Sequence, residues 1–238
     1  MGAIEIRGLR KQFGGVTALA GVDLTIVEGE ILGIVGPNGS GKTTLFNVIT
    51  GVHKPTAGHV TWRGRDMTGV PAHAVSHAGI AHTFQQAMAF PGLSVFENVQ
   101  IAAEHCRSAG AFPWPTPDDL IGFVGLQALR HETAGILPFG SLRLLGIALA
   151  LASRPALLLL DEPAAGLNDK ETTALVDLVR QLPGHGISVC VIDHDMSLMQ
   201  RLCRRLVVLD FGSKIADGPT AEVLADPKVL EVYLGGAL

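Results

Sequence analysis

The sequence predicts an α/β fold in which a mostly parallel sheet is covered by helices. Three observations carry that expectation. Apolar runs of strand length alternate with segments of helical spacing. Several of those runs are apolar without interruption, as strands buried on both faces must be. A glycine-rich turn joins one such run directly to a helix.

The elements follow in order. "VDLTI" (Val22 to Ile26) alternates with a period of two, and "EILGIVG" (Glu30 to Gly36) is nearly continuous in apolar residues. After the glycine-rich turn, "KTTLFNVITG" suits a short buried helix closed by Gly51. "PTAG" (Pro55 to Gly58) reads as a turn and "GIAHTF" (Gly79 to Phe84) as a strand. Three helix starts carry caps. Ser94 stands three residues before Glu97; Thr116 precedes Pro117 and two acids; Asn168 stands three before Glu171. Beyond Asn168, Leu175, Leu178, Val179 and Leu182 recur at helical spacing. Leu142 to Ala152 reads as a helix apolar on most faces, hence largely buried. "ALLLLD" (Ala156 to Asp161) and "ISVCVID" (Ile187 to Asp193) read as interior parallel strands. "RLVVLDFGSKIADG" reads as a hairpin and the tail from Thr220 as a pair of short helices. Mostly helical sequence interrupts the sheet pattern from about Gln86 to Ser153.

Leu144 to Pro163 is nearly all apolar, yet a membrane span needs about twenty such residues in a row. "SRP" (Ser153 to Pro155) cuts the run in two, and Pro155 breaks a helix there. Charged residues fill the start "MGAIEIRGLRKQFGG", so no export signal is expected, and no Ser or Thr completes a myristoylation motif. The 238 residues can bury a substantial core. A hydrophobic content of 47% with mean hydropathy +0.36 points to apolar surface hidden by partners. Net charge of −4 argues against a general nucleic-acid binder. Cys106, Cys190 and Cys203 are scattered and read as reduced core residues.

"GPNGSGKTT" fits G-x-x-x-x-G-K-[ST] over Gly36, Pro37, Asn38, Gly39, Ser40, Gly41, Lys42 and Thr43, with Thr44 following. Glycines let successive N–H groups point at phosphate oxygens, and the helix start adds its dipole. Lys42 would reach the β/γ-phosphates, and Thr43 can hold Mg²⁺. A mere glycine turn is the bland alternative. A dinucleotide fingerprint fits less well, because Thr44 stands where its third small residue should be. A carboxylate at the end of a neighbouring strand must hold the metal, and "LLLLDE" offers one. Asp161 would bind Mg²⁺ through water, and Glu162 would orient or deprotonate the attacking water. Two acids ending a strand at the surface is the alternative.

Taken together these motifs resemble one family, the ATP-binding subunits of ABC transporters, over essentially the whole chain. The resemblance implies a RecA-like P-loop NTPase core, with an N-terminal antiparallel β portion beside the parallel sheet. The core would span 1–86 and 153–238, and an inserted α-helical subdomain carrying the signature motif would span 87–152. "HTFQQ" looks like the Q-loop, making Gln85 the residue that touches Mg²⁺ and the attacking water. In "VIDHD", His194 is expected at the γ-phosphate; in "KQFGG", Phe13 stands where an aromatic ring stacks on adenine. "EPAAGLN" and "VYLGG" look most like the LivG-type ATPases of branched-chain amino-acid importers, with the lipopolysaccharide-export ATPase a close relative. Implied partners are a second ATP-binding subunit, a heterodimer in preference to a homodimer, and transmembrane permeases. The place implied is the cytoplasmic face of the inner membrane, without nucleic acid.

"LPFGS" (Leu137, Pro138, Phe139, Gly140, Ser141) stands at the family's LSGGQ signature, which completes the opposite subunit's ATP site. Pro138 replaces its serine, Phe139 its first glycine and Ser141 its glutamine. Proline has neither hydroxyl nor N–H, and a lost charge-assisted hydrogen bond is worth roughly 1.5–3 kcal/mol. Leu144, Gly146 and Leu149 stand where relatives have Arg, Glu and Arg. Gly140, Ser141 and the helix N-terminus remain as donors. Either the ATP site that this segment completes is weakened, or the changes are tolerated variation. His73 and His77, at i, i+4, with His82 nearby, read as a solvated histidine face rather than a metal site. Ala87 to Phe96 is either the groove for a permease helix or ordinary core packing. Two alternatives remain: an ABC ATPase acting on nucleic acid or ribosomes, and a weakly hydrolysing nucleotide-sensing subunit.

Overall fold

The computed structural model describes residues 2–83, 88–104 and 114–234. The chain opens with two long antiparallel strands, β1 (Gly2–Phe13) and β2 (Val16–Val27). It then enters β3 (Ile31–Val35) and, through the glycine-rich turn, α1 (Lys42–Ile49). β4 (Ala57–Trp62) and the short β5 (Arg65–Asp66) complete an antiparallel sheet of order β2-β1-β4-β5. α2 (Ala72–His77) leads into β6 (Ile80–Thr83).

α3 (Val95–Glu104), α4 (Pro117–Phe123) and α5 (Phe139–Ala152) separate β6 from β7 (Leu157–Asp161). α6 (Asp169–Gln181), β8 (Ser188–Ile192), α7 (Met196–Leu202), β9 (Arg205–Asp210) and β10 (Ser213–Pro219) follow. α8 (Thr220–Ala225) and α9 (Pro227–Leu234) end the described chain. The expected caps form: Ser94 with Glu97, Thr116 with Asp119 and Asn168 with Glu171 exchange bonds reciprocally.

The second sheet has the order β10-β9-β3-β8-β7-β6, parallel throughout except for the β9–β10 hairpin. It divides the interior in two. Leu158 and Leu160 of β7 and Val189 and Val191 of β8 face the helical side. Leu157, Leu159, Cys190 and Ile192 face the antiparallel sheet and α1. Burial on both faces is why these strands read as unbroken apolar runs. Gly33 of β3 has the same origin, since a Cβ there would stand 2.4 Å from Leu206 and 2.5 Å from Met199.

The strand order has a functional consequence. β8 lies between β3 and β7, so three strands far apart in sequence end side by side. Their C-terminal ends deliver the glycine-rich turn, Asp161 and Asp193 to one edge, where α/β sheets bind ligands. Among the described residues no helix is long and apolar enough to cross a membrane. One expectation is corrected here. His73 and His77 are exposed on α2, but His82 is not part of their solvated face. It lies on β6 with its ring edge-on to the buried Phe46, 5.6 Å between centroids, and burial pushes its pKa down to about 4.

Candidate active site

The turn after β3 is shaped by close backbone approaches. Gly36 has φ +150° and a Cβ there would lie 2.1 Å from the Leu209 carbonyl oxygen; Gly41 has φ +102° and would meet Ala18 O at 2.5 Å. A side chain at either position would push β9 or β2 off the loop. The loop is pinned further by the Gly212 N–H, which donates to Ser40 O at 3.0 Å. Asn38, Gly39 and Thr43 are exposed, Pro37 and Thr44 half-buried and Ser40 buried. α1 begins with no side-chain cap, which leaves its first N–H groups for an anion.

Lys42 spans this loop. Its ammonium donates to Gly36 O at 2.7 Å, Pro37 O at 2.8 Å and Ser40 Oγ at 3.4 Å. Burial lowers its pKa, while Glu162 and Asp161 nearby raise it. That coupling sets the Lys42 ammonium within electrostatic reach of both carboxylates.

Asp161 ends β7 and is only 5% exposed. Burial, and then the neighbouring Glu162, push its pKa up to about 6. Its Oδ1 is buried without a hydrogen-bond partner among the described residues. A buried carboxylate oxygen in that state fits a hard divalent cation such as Mg²⁺. Among the described residues no cluster of three or more His, Cys, Asp or Glu offers an all-protein metal site.

Glu162 sits one residue beyond the strand, its N–H donating to Ile192 O at 2.8 Å. Its φ of +46° lies in the left-handed region that costs a non-glycine residue about 1–2 kcal/mol. Such strain gathers at functional sites. From the end of β8, His194 brings Nδ1 to 3.7 Å from Glu162 Oε1 and 3.7 Å from Asp193 Oδ1. Asp193 in turn accepts from the backbone N–H groups of His194 (2.8 Å) and Asp195 (3.0 Å). Burial raises its pKa against the pull of those bonds.

Two members of this cluster escaped the sequence reading. Asp193 mirrors Asp161 as the acid closing an apolar strand, and that pattern was the available signal. Arg143 is only 8% exposed; burial lowers its pKa, while Asp193, Glu162 and Asp161 raise it, so its guanidinium faces the carboxylates. It is the single charged residue of α5, and its lone charge was the clue.

Phe13 ends β1 and is 43% exposed, so it is not a core residue. His53 meets the ring edge-on at 5.2 Å and Lys11 Nζ stands 4.6 Å from its centroid. The signature segment lies at the start of α5. Leu137 is half-buried, Pro138 is the N-cap without a side-chain bond, and Phe139 is 55% exposed. Ser141 is half-buried, whereas Gly140 is buried, with Glu171 so close that a Cβ would stand 2.3 Å from Oε1. Gln85 lies outside the described residues, as do Ala87 at the head of the candidate docking segment and Cys106.

Known proteins resemble this chain in sequence and fold. The family described as ABC transporter matches residues 19–165, and that described as branched-chain amino acid ATP-binding cassette transporter matches 213–238. The chain is 36% identical to the high-affinity branched-chain amino acid transport ATP-binding protein BraF of Pseudomonas aeruginosa, over 98% of both chains. It is equally similar, over the same coverage, to the correspondingly described LivG of Salmonella typhimurium. Among solved structures, the ADP conformation of the ABC-transporter cassette MJ1267 superposes with TM-score 0.88 at 32% identity, covering 99% of each chain. A dimeric cassette, MJ0796 bound to ADP and Pi, superposes with TM-score 0.79 at 26% identity, over 91% of this chain and 98% of the other. This chain belongs to the ABC transporter family, as one of its ATP-hydrolysing cassettes.

Proposed function

We propose that the chain hydrolyses ATP·Mg²⁺ to drive an importer of branched-chain or related amino acids. The observation that carries the reading is the convergence of the Lys42 loop, Asp161 with its unpartnered buried oxygen, and the Glu162–His194 pair at one sheet edge. The substrate class rests on the relatives, which are described as branched-chain amino acid transport proteins.

The roles follow from chemistry. Gly36 to Thr44 wrap the phosphates with backbone N–H groups, and Lys42 exchanges loop carbonyl oxygens for phosphate oxygens. Thr43, Asp161 and Gln85 would hold a Mg²⁺, which when bound would supply charge neutralisation at the β/γ-phosphates. Glu162 takes the proton of the attacking water, and His194 stands at the γ-phosphate. Phe13 offers its exposed ring to adenine.

The core comprises 1–86 and 153–238, and residues 87–152 form the helical subdomain. Leu137 to Ser141 complete the ATP site of a second cassette, a heterodimeric partner in preference to a second copy of this chain. Pro138 weakens that composite site, because it offers the phosphate neither the hydroxyl nor the N–H of the serine it replaces. The assembly sits on permeases at the cytoplasmic face of the inner membrane and has no nucleic-acid partner. Phe90, 57% exposed and tied at its backbone to the buried Asn98, belongs to the surface that meets the permease.

The test is to purify the tagged chain from gently solubilised membranes and identify its companions. Permeases plus a different ATPase are expected. Ribosomes or DNA in their place would overturn the importer.

A further inference from the structure

At the opposite end of the parallel sheet, where β3 and β9 begin, lies a cleft of about 750 Å³. That is the size of a small-molecule site. Arg180, Arg201, Arg204 and Arg205 line it, together with Glu30. Four like charges in one cleft repel one another unless something neutralises them.

Among the described residues, only Arg205 is neutralised by carboxylates. Arg205 donates to Asp217 at 2.8 Å and to Glu30 at 3.2 Å. Arg180 donates instead to the Arg201 carbonyl oxygen, and Arg201 to Thr173 Oγ1 at 3.0 Å. Both are exposed, and among the described residues each is tied to a neutral acceptor. Arg204 is exposed at the rim. The C-terminal ends of α6 and α7 face this region, and each helix end supplies about half a negative charge. Three unneutralised guanidiniums against two helix ends leave a net charge of about +2. On a chain whose net charge is −4, this is a local reversal of sign.

We propose that this cleft binds a small anion carrying phosphoryl groups, at a site separate from the phosphate loop. Guanidinium forks match phosphoryl oxygens in paired hydrogen bonds, and the two that are pre-positioned lose little freedom on binding. Ile31 and Pro183 give the same cleft an apolar wall, which suits the organic part of a phosphorylated metabolite. A concave cleft favours a soluble anion over a flat membrane; a phospholipid headgroup shares the chemistry, and the experiment separates the two sources.

The test is calorimetric titration of pyrophosphate into the full chain carrying Lys42→Ala, which removes the phosphate loop's main cation. One equivalent is expected to bind, more weakly as salt rises. Adding R201Q and R204Q should weaken that binding by about tenfold or more, the factor that one charge-assisted hydrogen bond supplies. With Lys42 intact, the same two arginine changes should leave ATP affinity unaltered. Arg204→Gln alone, at an exposed side chain, serves if the double variant melts early, with about a threefold loss expected.

Sedimentation with phosphatidylglycerol vesicles is the second arm. Arginine-dependent binding to vesicles without pyrophosphate binding would assign the site to a lipid headgroup. Absence of binding in both arms, or binding indifferent to the arginines, would overturn the proposal.

Discussion

The Phe139 ring lies against Gly166 so closely that a Cβ on that glycine would stand 2.8 Å from ring atom Cε1. Gly166 belongs to the loop that follows Asp161 and Glu162, and Phe139 belongs to the signature segment. The residue that departs most in bulk from the family's signature is thus seated on the loop that follows the carboxylates Asp161 and Glu162. Arg143, one turn further along α5, reaches the same neighbourhood, with its guanidinium 5.5 Å from the Phe139 ring.

Gly166→Ala should therefore destabilise the protein. Its φ of +78° alone costs an alanine about 1–2 kcal/mol, and the ring must also move. Adding Phe139→Ala should recover part of the loss, giving a coupling of about 0.5 kcal/mol or more in a denaturant double-mutant cycle. Additive effects would show that the ring and the loop do not depend on each other.

Restoring the signature serine tests the composite site. Pro138→Ser adds a hydroxyl and a backbone N–H where the N-cap of α5 now has neither. In the assembled complex, ATP affinity or turnover should rise by about tenfold, the worth of one charge-assisted bond. An unchanged rate and affinity would mean that the substitution is tolerated variation.

Glu162→Gln keeps the shape of the side chain and removes the base. Turnover should fall by about 100-fold or more, while nucleotide affinity stays near that of the unaltered chain. Sustained hydrolysis in single-turnover assays would move the water-activating role to another residue.

Asp161 sets a pH dependence whose sign follows from burial. Its folded pKa of about 6 lies above the ordinary 3.8, so the folded state holds the proton more tightly than the unfolded chain. Its contribution to stability is greatest below about pH 4 and is lost as pH rises through 6. Above that, the ionised group costs the nucleotide-free protein up to about 3 kcal/mol. Asp161→Asn should raise the nucleotide-free melting temperature at pH 7.5 and flatten its pH dependence. It should also forfeit the stabilisation that Mg²⁺ with nucleotide gives the unaltered chain. A lower melting temperature in that variant would refute the assignment.

Arg143 is a positioning residue in this scheme, since its charge lowers the Asp161 pKa. Arg143→Gln should shift the acid limb of the ATPase pH profile to higher pH, and Arg143→Lys should restore it in part. A fall in rate with an unmoved profile would leave Arg143 a purely structural role.

The elements that the sequence disclosed are those with local causes. Thr116 and Asn168 bond to backbone three residues away, and Leu157 to Leu160 are apolar because each neighbours one of two cores. The long β1 was less legible. Its Gly8 is exposed where the alternation of Ile4 and Ile6 calls for a buried residue, and its pairing with β2 shifts register between Ile6 and Leu9. A half-solvated, bulged strand carries little periodic signal.

The chemistry of the phosphate loop was written in the chain itself, because Gly36 to Thr43 act through backbone shape and adjacent side chains. What joins that loop was not. Asp193 and Arg143 became partners of Asp161 only because β8 pairs between β3 and β7 and α5 folds back onto them. The covering of Gly140 by Glu171 and the gathering of Arg180, Arg201 and Arg204 are of the same kind. Caps, turns and apolar runs are decided within a few residues by hydrogen bonding and burial. Electrostatic neighbourhoods depend on distances in space that strand order sets, and no local stretch of sequence specifies them.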